Sequence, residues 1–308
     1  MSQTLSREGP AVVFTAVLRG AGIPARVLSA MFFAAVLPAS FARLSPQKKK
    51  RAPAPNLIKM SPAMAIKRDF HRWYSPRLGR DMVVLVYGHW GAPLLSFPTS
   101  GGDEWEYENQ SMIEALGEFI DAGRIKVFCA GQVSDQSFYN RGAHPFHRSY
   151  VQAQFDAYIR FEVVPFIWDS CRTSGISIAT FGASLGAYQA VNSLLKHPDV
   201  IKRCFGLSGQ YDMRRFMDGM YDDNFYFNNP VDYVPNLGDS GILAQLATCD
   251  IHLVTGCGPW ENSASSYYLA SILSKKGIPH HLDDWGPEGG HDWPYWKHQM
   301  WEYVNRLF

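Results

Sequence analysis

Three residue types, at three separated points of this 308-residue chain, have the makings of nucleophilic chemistry at a carbonyl carbon. Ser184 stands in Gly182-Ala-Ser-Leu-Gly186, His291 in Gly289-Gly-His-Asp-Trp-Pro-Tyr-Trp296, and acidic side chains lie between them. A serine hydroxyl is a poor nucleophile at neutral pH. It becomes a good one when an imidazole takes its proton during attack and a carboxylate holds that imidazole in the right tautomer. Gly-x-Ser-x-Gly alone is a weak signal, because so short a pattern recurs by chance. Its setting matters more. The run Ile176-Ser-Ile-Ala-Thr-Phe181 is apolar on both faces, as in a central strand of a parallel sheet, and helical patterning follows from Leu185 to about Lys196. A serine between such a strand and helix must take strained backbone angles that push its hydroxyl into the open. Gly182 and Gly186 remove the side chains that would collide there. Ser184 is therefore the expected nucleophile, beside a helix N-terminus whose free N–H groups favour negative charge.

In a sheet of this kind the acid follows a late strand and the base follows the last one. His291 comes after an expected strand ending at Trp285, and two glycines give its loop freedom to reach Ser184. Two positions compete for the acid. Glu261, in Thr255-Gly-Cys-Gly-Pro-Trp-Glu-Asn262, follows the expected strand Ile251 to Thr255 and is favoured; Asp212, in Leu207-Ser-Gly-Gln-Tyr-Asp212, follows the preceding strand. Asp292 adjoins the histidine in sequence and is poorly placed to orient it. An oxyanion needs two backbone donors. Leu185, next after the serine, would supply one, and Ser100 or Gly101 in the small-residue loop Pro98-Thr-Ser-Gly-Gly102 the other. Trp105, Tyr139, Trp260 and Trp293 are candidate substrate-binding aromatics, with Tyr107 and Trp296 close by in sequence. Each is also of a type that packs ordinary cores.

Positioning these groups calls for strands that alternate with helices. Strands are expected at Asp69 to Tyr74, Met82 to Tyr87, Pro93 to Phe97, Ile125 to Ala130, Ile176 to Phe181, Lys202 to Ser208, Ile251 to Thr255 and His280 to Trp285. The first two read as antiparallel neighbours at the sheet edge. Helices are expected at Glu108 to Ala122, with an apolar stripe of Met112, Leu116, Phe119 and Ile120, then at Tyr150 to Trp168, Leu185 to Lys196, Ser263 to Lys276 and Trp293 to Phe308. The fold class is α/β: a mostly parallel central sheet with helices on both faces. Met213 to Gly238, rich in Asp, Asn, Tyr and Pro, is too irregular for the sheet and is expected as an insertion over the active site.

Hydrophobic residues make up 46% of the chain and charged residues 19%, enough apolar material for one large core. A net charge of +1 argues against a nucleic-acid surface. The 5 cysteines form no Cys-x-x-Cys pair, and Cys129, Cys204 and Cys249 lie in apolar runs; this usage fits a reducing, cytoplasmic setting. The close histidine pairs, His144 with His147 and His280 with His281, have no carboxylate or cysteine companions at ligand spacing along the chain. No metal and no other cofactor is expected. Residues 1–63 differ in composition from the rest. Val27 to Leu37 is too short to span a bilayer, so no stable membrane insertion is expected. With Arg26 before it and Ser40-Phe-Ala42 after, it resembles the apolar part of a signal segment, which would make the protein exported. Pro46 to Pro55 is a basic, proline-rich linker. A start at Met60 or Met64 is the simpler reading, with the catalytic domain spanning 64–308.

Four stretches carry a resemblance over that domain: Phe97-Pro-Thr-Ser-Gly-Gly102, Gly182-Ala-Ser-Leu-Gly186, Phe227-Asn-Asn-Pro-Val-Asp232 and Gly290-His-Asp-Trp-Pro-Tyr-Trp296. Together they resemble the putative-esterase family of α/β-hydrolases, which takes in esterase D-type and feruloyl esterase-like enzymes and, more distantly, mycolyltransferases. The resemblance implies Ser184 as nucleophile and His291 as base, and supports Glu261, since the mycolyltransferase branch uses a glutamate after the corresponding strand. Gly256-Cys-Gly258 departs from the usual acid loop. The implied activity is hydrolysis of a small-molecule carboxylic ester through an acyl-enzyme. An acyltransferase with the same triad and a non-catalytic binding protein on this scaffold are the alternatives, and a homo-oligomer is compatible with either.

Overall fold

The computed structural model describes residues 66–308. The expected N-terminal extension, 1–63, with its signal-like run and basic linker, lies outside the described residues. The strands are β1 (Arg68–Ser75), β2 (Arg80–Tyr87), β3 (Ala92–Phe97), β4 (Ile125–Ala130), β5 (Ile178–Ala183), β6 (Ile201–Leu207), β7 (Asp250–Thr255) and β8 (His281–Asp284). They form one sheet in the order β1-β2-β4-β3-β5-β6-β7-β8. β1 and β2 are antiparallel at the edge, as expected, and β2 is antiparallel to β4. All other pairings are parallel. The burial patterns follow from these places. β1 alternates between exposed and half-buried residues along most of its length, whereas β4 and β5 are buried throughout.

Period-two alternation sends side chains of each strand to opposite faces. In β4, Phe128 and Ala130 join one apolar cluster while Ile125, Val127 and Cys129 join the other. The first cluster is covered by the long helical segment Pro145–Ser170, the helix Leu185–Lys196 and the helix Ala264–Lys276. The second is covered by short helices between Glu106 and Asp121 and by the closing helix Trp293–Leu307. Helices on both faces complete the α/β arrangement.

Two helices differ from the sequence expectation. The single helix read at Glu108 to Ala122 is three short ones, Glu106–Asn109, Met112–Ala115 and Gly117–Asp121. Ser111 breaks the first from the second by taking a left-handed backbone, φ 58°. The apolar stripe survives the break, because Met112, Leu116, Phe119 and Ile120 are all buried. The long helix begins earlier than expected, at Pro145, and widens to a π-turn over Ile159–Val163. Pro165 accounts for the widening: it has no N–H for the Phe161 carbonyl and crowds it. The irregular segment after Met213 packs on the helix Leu185–Lys196, where Tyr188 Oη donates to the Asn228 carbonyl at 2.5 Å and Tyr233 Oη to Asn192 Oδ1 at 3.0 Å. Among the described residues no helix is long and apolar enough to cross a membrane.

Candidate active site

β5 has β3 on one side and β6 on the other, and the chain leaves its end through Ser184 directly into a helix. Ser184 has φ 56° and ψ −114°, a conformation that costs free energy in any residue other than glycine. The crowding that enforces it is visible at the two glycines. A Cβ on Gly182 would fall on the carbonyl of Gly186, and one on Gly186 would fall on the Phe97 carbonyl oxygen at the end of β3. Strand, turn and helix therefore lie closer together than any side chain permits.

The backbone ladder continues past the ends of the neighbouring strands. Ser184 N donates to Leu207 O at 2.9 Å, Ser208 N to Val254 O at 2.8 Å, and Trp285 N to Thr255 O at 2.9 Å. The loops leaving β5, β6, β7 and β8 thus start level with one another. The loops after β7 and β8 then interlock. Cys257 N donates to Gly286 O at 2.7 Å, Gly258 N to Gly289 O at 2.9 Å, and His291 N to Pro259 O at 2.9 Å. Cβ atoms at Gly256, Gly258 or Gly289 would run into the facing backbone, so close approach of the two loops depends on glycine.

This interlock brings His291 and Glu261 together. His291 Nδ1 lies 3.8 Å from Glu261 Oε2. The glutamate side chain is 1% exposed; its Oε1 accepts from Thr255 Oγ1 at 3.0 Å, and its Oε2 has no hydrogen-bond partner of its own. Burial lowers the His291 pKa below the ordinary histidine value, against the opposing pull of Glu261 and Asp292. The imidazole edge packs on Trp296 at 5.1 Å between centroids, and Trp296 is itself fixed by donation from Nε1 to Ser208 Oγ at 2.9 Å. The rival acids are engaged elsewhere. Asp212 pairs with Arg214 at 3.0 Å, and Asp292 caps the closing helix by accepting from Trp293 N at 2.7 Å.

The loop after β3 is clamped by side chains that sequence reasoning did not single out. Glu106 accepts from Thr99 N at 2.7 Å and from Thr99 Oγ1 at 2.5 Å, and its pKa is raised by burial, against those two hydrogen bonds. Gln132 donates to the carbonyls of Thr99 (2.5 Å) and Gly102 (2.8 Å). Gly101 N reaches Ser134 Oγ at 3.5 Å and Gly102 N reaches Thr99 O at 3.1 Å, which leaves the Ser100 N–H as the unengaged donor of the loop among the described residues. Leu185 N, at the first position of its helix, is one of the donors a helix cannot satisfy internally. Clamps of this kind carry no sequence pattern, because one side chain holding one backbone group has no period or spacing.

The four expected substrate-binding aromatics separate. Trp293 packs edge-on to Tyr107 at 5.5 Å and to Trp296 at 5.3 Å, within the group that flanks His291. Trp260 stands beside Glu261, 88% exposed and with φ 64°. Tyr139 lies on Phe216 at 4.8 Å. Trp105 instead packs with Phe70 and Arg68 of the edge strand β1.

Solved structures share this fold. A ferulic acid esterase superposes with a TM-score of 0.61 at 15% identity, covering 80% of this chain and 100% of that one. An S-formylglutathione hydrolase from Agrobacterium tumefaciens gives 0.60 at 14% identity, covering 82% and 99%. Mycobacterium tuberculosis MPT51 (FbpC1) gives 0.53 at 19% identity, covering 78% and 97%. No curated protein matches the chain in sequence. The family model described as "Putative esterase" matches residues 75–307. Because that match runs from the end of β1 through the closing helix and takes in the Ser184 turn and both interlocked loops, the chain belongs to the putative esterase family and is a serine hydrolase of the esterase kind.

Proposed function

We propose that the protein hydrolyses small-molecule carboxylic esters through a Ser184–His291–Glu261 triad and an acyl-enzyme intermediate. One observation carries the reading. Glu261 keeps a buried carboxylate oxygen without a hydrogen-bond partner, and that oxygen faces the Nδ1 of a half-buried histidine at 3.8 Å. A buried carboxylate oxygen is costly unless something needs it. Here the need arises during turnover, when imidazolium forms and the separation closes to a charge-assisted hydrogen bond.

Ser184 Oγ attacks the ester carbonyl while His291 Nε2 takes its proton. The oxyanion is held by Leu185 N–H and Ser100 N–H, with Gly101 completing the loop. His291 then protonates the leaving alcohol, and the acyl group remains on Ser184. A water that gives its proton to His291 attacks the acyl-enzyme, and collapse returns the hydroxyl to Ser184. Trp293 and Trp260 flank the base and the acid and offer apolar contact to the acyl or alcohol group.

The test is hydrolysis of p-nitrophenyl acetate, butyrate and octanoate. Ser184→Ala is expected to reduce kcat on the order of 10⁶-fold and to abolish labelling by a fluorophosphonate probe. Wild-type protein that folds but neither turns over any of these esters nor takes the label would refute the triad reading.

A further inference from the structure

A second constellation lies at the other end of the strands that deliver the acid and base loops. β7 opens with Asp250-Ile-His252 and the edge strand β8 with His281-Leu-Asp283. The two strands are parallel with His252 opposite His281. Since side chains alternate along a strand, Asp250, His252, His281 and Asp283 all project from one face. His280-His281 lacks companions at ligand spacing along the sequence; register supplies them across the sheet.

The atoms converge closely. Asp250 Oδ1 lies 3.0 Å from His252 Nε2 and 3.5 Å from His281 Nε2. His252 is 3% exposed, and its buried Nε2 has no hydrogen-bond partner: Asp250 is near enough but out of line for an N–H to donate. The other ring nitrogen is fixed, with Nδ1 2.7 Å from Asp283 Oδ2, an oxygen that also accepts from Tyr303 Oη at 2.7 Å. Arg203 Nε binds Asp250 Oδ2 at 2.7 Å and so leaves Oδ1 to face the two imidazoles. A buried imidazole with one nitrogen held by a carboxylate and the other left without a hydrogen-bond partner beside further donors is how metal-binding histidines are oriented. The His281 ring stacks nearly parallel on it at 4.5 Å, so the exposed His281 side chain turns to bring its Nε2 in line with the ion. In a tetrahedral shell with bonds of about 2.0–2.1 Å, neighbouring ligand atoms stand about 3.3 Å apart. The two measured separations bracket that edge.

We propose that Asp250, His252 and His281 form a site for a divalent transition metal of the zinc class, with Asp283 as the outer partner that orients His252. Two imidazoles favour Zn²⁺, Ni²⁺ or Cu²⁺ over Mg²⁺ and Ca²⁺, which prefer oxygen alone. His281 is 60% exposed, so the fourth position opens to solvent and needs no further protein ligand. The ion bridges β7 to β8 and braces the sheet edge whose opposite end carries Glu261 and His291.

The experiment is calorimetric titration of Zn²⁺ into the chelator-stripped full-length chain, with Co²⁺ as a spectroscopic probe and Mg²⁺ as a control. One Zn²⁺ per chain, a visible d–d band with Co²⁺, a raised Tm with Zn²⁺ and no Mg²⁺ binding are expected. His281→Ala, at an exposed position, should keep the wild-type far-UV circular dichroism and lose both stoichiometric binding and the Tm rise. Asp283→Asn should keep one site at roughly 10- to 100-fold weaker affinity. Cys257→Ser removes the exposed thiol and should leave Zn²⁺ stoichiometry and affinity as in the wild type. A wild-type chain that takes up no Zn²⁺, binding that survives His281→Ala unchanged, or binding that disappears with Cys257→Ser overturns the proposal.

Discussion

His291 sits in an environment that pulls in two directions. Burial favours the neutral ring, while Glu261 and Asp292 favour the charged one, and burial prevails. Its pKa therefore falls below the ordinary 6.5. In the proposed mechanism the neutral imidazole accepts the serine proton, so kcat/KM should rise with pH through this pKa and level off above it. Replacing Glu261 by Gln deletes one of the two groups that raise the pKa. The midpoint should move lower still, while kcat falls on the order of 10³–10⁴-fold. Asp212→Asn, whose carboxylate pairs with Arg214, should leave midpoint and kcat alone. Ester hydrolysis from about pH 4.5 to 8 reads both effects. A midpoint above the ordinary histidine value, or an Asp212→Asn profile resembling that expected for Glu261→Gln, would return the acid assignment to the β6 loop. The strained turn at Ser184 and the loop that carries His291 could be read from sequence, because the turn and the strand order each mark one place in the chain. Between the two carboxylates the strand order favours Glu261 without excluding Asp212, since both follow a strand, and it is the fold of the loop that sets Glu261 beside the ring.

At the level of elements, the site is two loops that touch through glycine. Gly256 faces Gly286 and Gly289 so closely that a Cβ there would strike both carbonyl oxygens. Gly256→Ala should push the acid and base loops apart, at a cost of about 1–3 kcal/mol in stability. A shift of about 1 Å between Glu261 and His291 should lower kcat about 100-fold with less effect on KM. Gly238→Ala, where the nearest atom is 4.0 Å away, is the matched control and should change neither. Thermal melts beside steady-state kinetics separate the two effects, and equal loss of activity from both variants would remove the argument. The same contrast explains what the sequence shows of the elements. Strands β3 to β7 are mostly apolar stretches bounded by turns, and their patterning is strong. The helix break at Ser111 has no such mark, because a serine in a left-handed turn looks like any other serine. Glu106 and Gln132, which hold the Ser100 loop, are unmarked for the same reason.

Across the whole molecule, the long helical segment and the helix that follows Ser184 are joined by one buried charge cluster. Asp156, on the long helix, accepts from His197 Nε2 at 3.0 Å and pairs with Lys196 Nζ at 2.7 Å, both at the end of the helix that Ser184 begins. Burial acts to raise the Asp156 pKa, but the His197 hydrogen bond and the Lys196 charge outweigh it and hold the pKa below the ordinary aspartate value of 3.8. A depressed folded-state pKa means that the ionised form favours the folded chain. This contribution is complete above the unfolded-state pKa and is lost as pH falls through the lower, folded value. Asp156→Asn leaves Lys196 and His197 with no carboxylate in a site where the three side chains are less than a fifth exposed. The cost at pH 7 should be roughly 3 kcal/mol, the low end for breaking a buried pair. In a domain of this size that is a Tm lower by about 6–12 °C. The gap between variant and wild type should then narrow as pH drops below 3.8, because protonation gives the wild type the same neutral group. A gap that stays constant down to acid pH would mean that Asp156 stabilises the helix pair by packing and not by charge.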